Sequence, residues 1–305
     1  MESIFVSIIC YRDTDVIKTV QNLLKEAIAP ENINICVILQ EKEEFLDRYD
    51  ALKLIPNVNL QIYPIEWAEG CGKARAEAQK FYNSETYFFQ TDSHMRFDPG
   101  WDKLLIDEIK VCPSDKPILT TLPPHFDQLT EAKHPPHYIE LRIREFFRNL
   151  VIVAGHPVKK IPEQIKATPF LAGGVLFSIG AITEVKYDPY FYFHGEELSM
   201  NLRLWTHGFT NFLPRFNFCY HAYRTDEMER PLLMKDQPIR DSYLHERSMS
   251  RFQVLTGLKQ YHEVPQNHLI RLEEFNLGTV RSIKDWEDNY RVWLKEQTAD
   301  RALYL

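Results

Sequence analysis

The opening of the chain alternates strand-length apolar runs with helical segments, and this alternation restricts the fold more than any other feature. Residues 4–10, Ile-Phe-Val-Ser-Ile-Ile-Cys, are almost continuously apolar, as suits a parallel strand buried on both faces. Polar Tyr11-Arg12-Asp13 ends the run. Over 14–29, Val16, Val20, Leu23, Leu24 and Ala27 recur at helical spacing until Pro30 stops them. Residues 33–39 predict a second strand, 43–54 a charged helix and 58–65 a third strand. This βαβαβ order implies a doubly wound α/β sheet, whose ligands sit beyond the carboxyl ends of the strands. Tyr11, Arg12 and the residues after Ile65 fall there.

Farther on, Glu69-Gly70-Cys71-Gly72 predicts a turn and 72–82 a helix with Arg75 on its first turn, an N-terminus suited to an anion. A fourth strand, 87–90, delivers Thr91-Asp92-Ser93-His94 into a loop ahead of Pro99-Gly100-Trp101 and another helix. Residues 118–122 predict a strand, and 123–136, rich in proline and histidine, an irregular loop. Segments 169–179, 187–203 and 212–222 complete the core. Beyond Asp226 the chain turns charged and helical, most clearly over 239–259 and 280–295. The expected organisation is a core domain over 1–225 and a helical appendage over 226–305 packed on it.

Composition excludes several classes. With 44% hydrophobic residues in 305 the chain can bury a sizeable core, and a net charge of −7 carries no overall footprint for nucleic acid or an anionic membrane. The first apolar run is too short to span a bilayer and lacks the flanks of a secretory signal, so a cytoplasmic protein without a transmembrane segment is expected. Five widely spaced cysteines without a C-x-x-C pair read as reduced packing residues.

Several residues could carry chemistry. Asp92 and His94, two apart at a strand end, can face the same way and offer a carboxylate and an imidazole to a divalent cation. His221 is the third candidate. One carboxylate with two imidazoles favours Mn2+ over Ca2+ and leaves positions for two diphosphate oxygens. On spacing alone, an unconnected loop aspartate and histidine are the better fit, because Asp-x-His is a short pattern with many chance matches. Tyr11 could stack on a base and Arg12 reach a phosphate; Arg75 suits a diphosphate, or a surface pair with Glu69 or Glu77. Gly173-Gly174 permits close approach of a ligand, or a plain turn. Glu196 and Glu197 stand near a helix N-terminus, which stabilises negative charge. His125, His134 and His137 match no zinc pattern and read as an acceptor loop or plain surface. Arg240, Arg247 and Arg251 read as a solvated helix face.

Phe88-Phe89-Gln90-Thr91-Asp92-Ser93-His94-Met95-Arg96-Phe97, with Gly100-Trp101-Asp102, resembles the metal-binding strand of the polypeptide N-acetylglucosaminyltransferases typified by the cytoplasmic enzyme that glycosylates hydroxyproline. Ile4-Phe5-Val6-Ser7-Ile8 with Tyr11-Arg12-Asp13, Ala74-Arg75, Phe170 to Gly174, Gly195-Glu196-Glu197 and Tyr220-His221 follow in the family's order over residues 3–224. The layout is more distantly similar to the polypeptide GalNAc-transferases, where an Asp-x-His pair and a later histidine bind Mn2+. What this implies is a GT-A-type glycosyltransferase fold, a single Rossmann-like mixed sheet flanked by helices, with 1–225 as the catalytic domain. Asp92, His94 and His221 become metal ligands for Mn2+ or Mg2+. Ser7, Tyr11, Arg12, Arg75, Asp92, Ser93, Gly173 and Gly174 become contacts of a UDP-sugar, UDP-GlcNAc in the nearer family. Glu196 aligns with a sugar-binding carboxylate, while Glu197 stands where the GalNAc-transferases have Asn and His194 where they have Gly. The implied reaction is retaining transfer of GlcNAc to an acceptor hydroxyl of a protein or glycan. Alternatives are another donor, UDP-GalNAc or UDP-glucose, in glycan or capsule synthesis, and a non-catalytic nucleotide-sugar-binding module. A zinc hydrolase is disfavoured because no H-E-x-x-H motif is present.

Overall fold

A computed structural model describes residues 2–223 and 238–305; the expected 225/226 boundary lies outside the described residues. The first third follows the alternating pattern. In order come β1 (Ile4–Tyr11), α1 (Val16–Glu26), β2 (Ile33–Glu41), α2 (Asp50–Lys53), β3 (Val58–Pro64), α3 (Cys71–Gln79), β4 (Tyr87–Asp92), β5 (Met95–Phe97) and α4 (Trp101–Lys110). Next are β6 (Pro117–Thr120), β7 (Tyr138–Phe147), β8 (Leu150–Val158), β9 (Lys166–Ala167), β10 (Val175–Ile179), α5 (Glu196–Thr206), β11 (Thr210–Leu213) and β12 (Cys219–His221). The C-terminal part contributes α6 (Pro238–Leu255), α7 (Ile283–Tyr290), β13 (Val292–Trp293) and β14 (Thr298–Ala299).

The eight-stranded sheet runs β3-β2-β1-β4-β10-β6-β11-β9. β3, β2, β1 and β4 are parallel, as the opening alternation implies, whereas β10 lies antiparallel between β4 and β6. Parallel neighbours need a crossover, usually helical. Between β6 and β10 the chain instead makes the β7–β8 hairpin, so β10 enters from the opposite end and the sheet is mixed. One face of β1 (Val6, Ile8, Cys10) packs on α1 and α4 through Val20, Leu23, Trp101 and Leu105. The other face packs on α3 and α5 through Ala74, Ala78, Met200 and Leu204.

α5 is nearly all buried because both its sides are covered. Met200 and Leu204 face the sheet, while Leu198, Leu202 and Trp205 join a second core with the β7–β8 hairpin, Met249, Phe252 and Trp286. The C-terminal residues therefore complete the core that holds α5.

Three expectations change. The segment 43–54 is mostly 3-10 helix, Glu43–Tyr49, before the four-residue α2, with only Tyr49 and Leu52 buried to reward a longer helix. The helix expected over 280–295 is confined to α7: Ser282 and Asp285 form a capping box, Arg291 at φ 56° ends it, and β13 pairs with β14. The solvated arginine face of α6 is corrected outright, because Arg251 is 0% exposed. It donates to Asp188 Oδ2 at 2.7 and 2.8 Å and to the carbonyls of His268 and Ile270, both at 2.9 Å. Arg247 is buried against Glu69 and Tyr190, and Arg240 reaches Glu69 at 2.7 Å. Spacing alone did not show that this face meets acidic and carbonyl partners across the fold.

Candidate metal and donor site

β1 and β4 pair in parallel with Ile9 opposite Asp92, so Tyr11, Arg12, Asp13 and Asp92 emerge at the same edge of the sheet. The chain bends at Ser93-His94 into β5, which pairs antiparallel with β12 so that His221 lies opposite Met95. Ala222 N–H donates to the His94 carbonyl at 3.0 Å. Two residues far apart in sequence thereby meet: His221 Nε2 is 3.2 Å from Asp92 Oδ2, and the His94 and His221 ring centres are 4.6 Å apart. One ligand atom from each of Asp92, His94 and His221 falls within 4.8 Å of the others.

Burial by itself would raise the Asp92 carboxyl, but the hydrogen bond from His221 and the charges of His221, His94 and Arg75 hold it well below its ordinary value. A carboxylate kept ionised beside two imidazoles is a donor set that fits Mn2+. Behind it stands Asp13, whose Oδ2 lies 2.8 Å from His94 Nδ1 and accepts from Ser93 Oγ at 3.0 Å. A carboxylate on one ring nitrogen orients the imidazole and leaves the other nitrogen for a cation. Sequence reasoning left Asp13 unassigned, although it ends the same Tyr11-Arg12-Asp13 run.

Gly173 and Gly174 form a tight turn, with Val175 N–H donating to Ala172 O at 3.2 Å. A Cβ on Gly174 would lie 2.5 Å from Asp92 Oδ2, and one on Gly173 would lie 2.7 and 2.9 Å from the Arg75 guanidinium nitrogens. Both glycines thus admit side chains of the chain itself. Arg75 is buried rather than on the surface and does not pair with Glu69 or Glu77. It donates to Glu196 Oε2 at 2.6 Å and to the Gly173 carbonyl at 2.9 Å, with Asp92 at 3.9 Å. Glu196 Oε1, buried, has no hydrogen-bond partner among the described residues. Glu197 accepts from Gly173 N–H at 2.7 Å. Its residue is exposed, yet protein surrounds the carboxyl group, and this desolvation with the charge of Glu196 pushes it up to about 7. Arg12, at φ 53°, reaches Glu41 at 3.3 Å. Ser7 stands apart in the middle of β1, 1% exposed beside Gln90.

The sequence matches the family described as Glycosyltransferase (GlcNAc) over residues 3–52 and 46–294. The chain belongs to this glycosyltransferase family. Among solved structures, GalNAc-T7 with UDP, GalNAc and Mn2+ superposes with a TM-score of 0.62 at 16% identity, covering 94% of this chain and 56% of that one. The chain therefore spans little more than half of that relative's length, and at this identity the likeness establishes the GT-A glycosyltransferase fold. S. aureus TarS 1-349 in complex with UDP-GlcNAc is also similar, with a TM-score of 0.47, 13% identity and 89% and 83% coverage of the two chains. No curated protein sequence matches the chain. For this glycosyltransferase family member, no helix among the described residues is long and apolar enough to cross a membrane, and all five cysteines are free thiols.

Proposed function

We propose that the chain is a metal-dependent, retaining glycosyltransferase that moves GlcNAc from UDP-GlcNAc to an acceptor hydroxyl. The observation that carries this reading is the convergence of Asp92, His94 and His221 at the end of β4 in a member of the GlcNAc glycosyltransferase family. Asp92, His94 and His221 would hold Mn2+ or Mg2+, which when bound supplies Lewis-acid stabilisation of the diphosphate leaving group. Asp13 keeps the His94 ring oriented, and Gly174 gives the Asp92 carboxylate its space. Arg75 neutralises one oxygen of Glu196 and leaves Oε1 to accept a hydrogen bond from a hydroxyl of the donor sugar. Tyr11 and Arg12, at the carboxyl end of β1, contact the nucleotide. Ser93 acts through Asp13, and Glu197 stands over the Gly173 amide at the sugar. Retention and a hydroxyproline acceptor in a cytoplasmic protein rest on the family resemblance of the motifs.

The test is Mn2+-dependent release of UDP from UDP-GlcNAc, UDP-GalNAc and UDP-glucose, followed by mass spectrometry of a glycosylated acceptor. Release from UDP-GlcNAc is expected to exceed that from the other donors. Preference for UDP-GalNAc or UDP-glucose would reassign the donor, and binding without release would make the chain a nucleotide-sugar-binding module.

A further inference from the structure

The proline- and histidine-rich segment after β6 forms a small hairpin against the candidate metal centre. Its base is closed by His134 N–H donating to His125 O at 2.9 Å and its tip by Asp127 N–H donating to Ala132 O at 2.8 Å. The hairpin lies along the strand that carries His221: His221 N–H donates to Pro124 O at 3.0 Å, and Phe126 N–H donates to His221 O at 3.2 Å. His221 is thus held between β5 on one side and this hairpin on the other.

What pins the hairpin is a buried arginine. Arg96, in β5 and two residues from His94, donates to both oxygens of Asp15 at 2.9 and 3.0 Å. It also donates to both oxygens of Glu131 at 2.6 and 2.8 Å. Its guanidinium lies 4.7 Å from the centre of the Phe126 ring. The bidentate fork fixes orientation as well as distance. The Arg96 hydrogen bond first, with the Lys18 contact and the charges of both, holds the Glu131 carboxyl down to about 2 against its slight burial, so the clamp stays charged at neutral pH. Lys133 adds a 2.7 Å bond to Asp98 and sits 4.6 Å from the centre of the Tyr220 ring.

We infer that the Arg96–Glu131 clamp is a positioning device: by fastening the 123–134 hairpin to β5 it fixes His221 at the distance from Asp92 that a divalent cation requires. The inference rests on the proposed metal centre for its consequence, and on the hydrogen-bond pattern alone for the positioning itself. Glu131 is the residue to change, because its side chain is 42% exposed and Arg96 keeps Asp15 as a partner without it. Lys18, bound to Glu131 at 2.9 Å but 59% exposed, is the control.

The experiment compares wild type, Glu131→Ala, Glu131→Gln and Lys18→Ala in two measurements. The first is hydrogen exchange at the His221 and Phe126 amides in metal-free protein; the second is Mn2+ affinity by calorimetry. Both Glu131 variants are expected to speed exchange at these amides and weaken Mn2+ binding about tenfold, the lower end for groups that orient metal ligands, while Lys18→Ala matches wild type. Unchanged exchange in the Glu131 variants overturns the positioning claim, whether or not the metal binds. Faster exchange with unchanged Mn2+ affinity overturns the link to the metal centre. Wild type that exchanges as expected but binds no Mn2+ sinks the metal reading and leaves the clamp as a determinant of His221 position.

Discussion

The side chain that decides the geometry of the candidate centre is Asp13, since it touches His94 without being a ligand candidate itself. Asp13→Asn keeps the shape but removes the charge behind the imidazole. It is expected to weaken Mn2+ binding about 10–100-fold while leaving the unfolding midpoint little changed, as calorimetry and thermal melts would show. Gly174→Ala is expected to weaken Mn2+ binding as well, because the new methyl collides with Asp92 Oδ2 and the carboxylate must move. Asp92, His94 and His221 were legible as candidates because the strand-end Asp-x-His and the later histidine resemble, in their order, the metal-binding motifs of a known family. Asp13, Arg96 and Glu131 were not, because a hydrogen bond between side chains 81 or 35 residues apart leaves no mark on local spacing.

At the scale of elements, α5 carries the site's carboxylates on its first turn and is held from both sides. Trp286 of α7 is 1% exposed and donates to the Pro169 carbonyl at 3.1 Å. Trp286→Ala is expected to cost about 3–5 kcal/mol in denaturant unfolding, the usual cost of emptying a buried aromatic site. Arg251→Ala leaves Asp188 buried without its cation and is expected to destabilise by a similar amount, about 3–5 kcal/mol. Of the strands in the first 92 residues, β1, β2 and β4 could be read closely, since buried parallel strands are nearly continuous apolar runs, while β3, at the sheet edge, has no buried residue. The β7–β8 hairpin could not: its residues alternate buried and exposed only in part, with a register shift between Ile143 and Glu145. β13 and β14, two residues each, are too short for any periodic signal.

On the scale of the whole molecule, the C-terminal residues do more than sit on a finished domain. Phe170, Leu202, Leu213 and Trp205 share their core with Met249, Phe252, Trp286 and Leu294. We propose that 1–225 and 226–305 form one cooperative unit, so a chain ending at residue 225 is expected to unfold without a sharp transition and to bind apolar dyes. The fold class was legible from the alternation and motif order, whereas the antiparallel entry of β10 depended on a long excursion with no helix of its own. The central claim is that transfer chemistry depends on the three residues at the end of β4 and β12. Its most direct test is the rate of UDP release from UDP-GlcNAc by wild type and Asp92→Ala, each with Mn2+ and with chelator. The account predicts release by wild type only with Mn2+, and release by Asp92→Ala no faster than with chelator; Mn2+-dependent release by Asp92→Ala at the wild-type rate would contradict it.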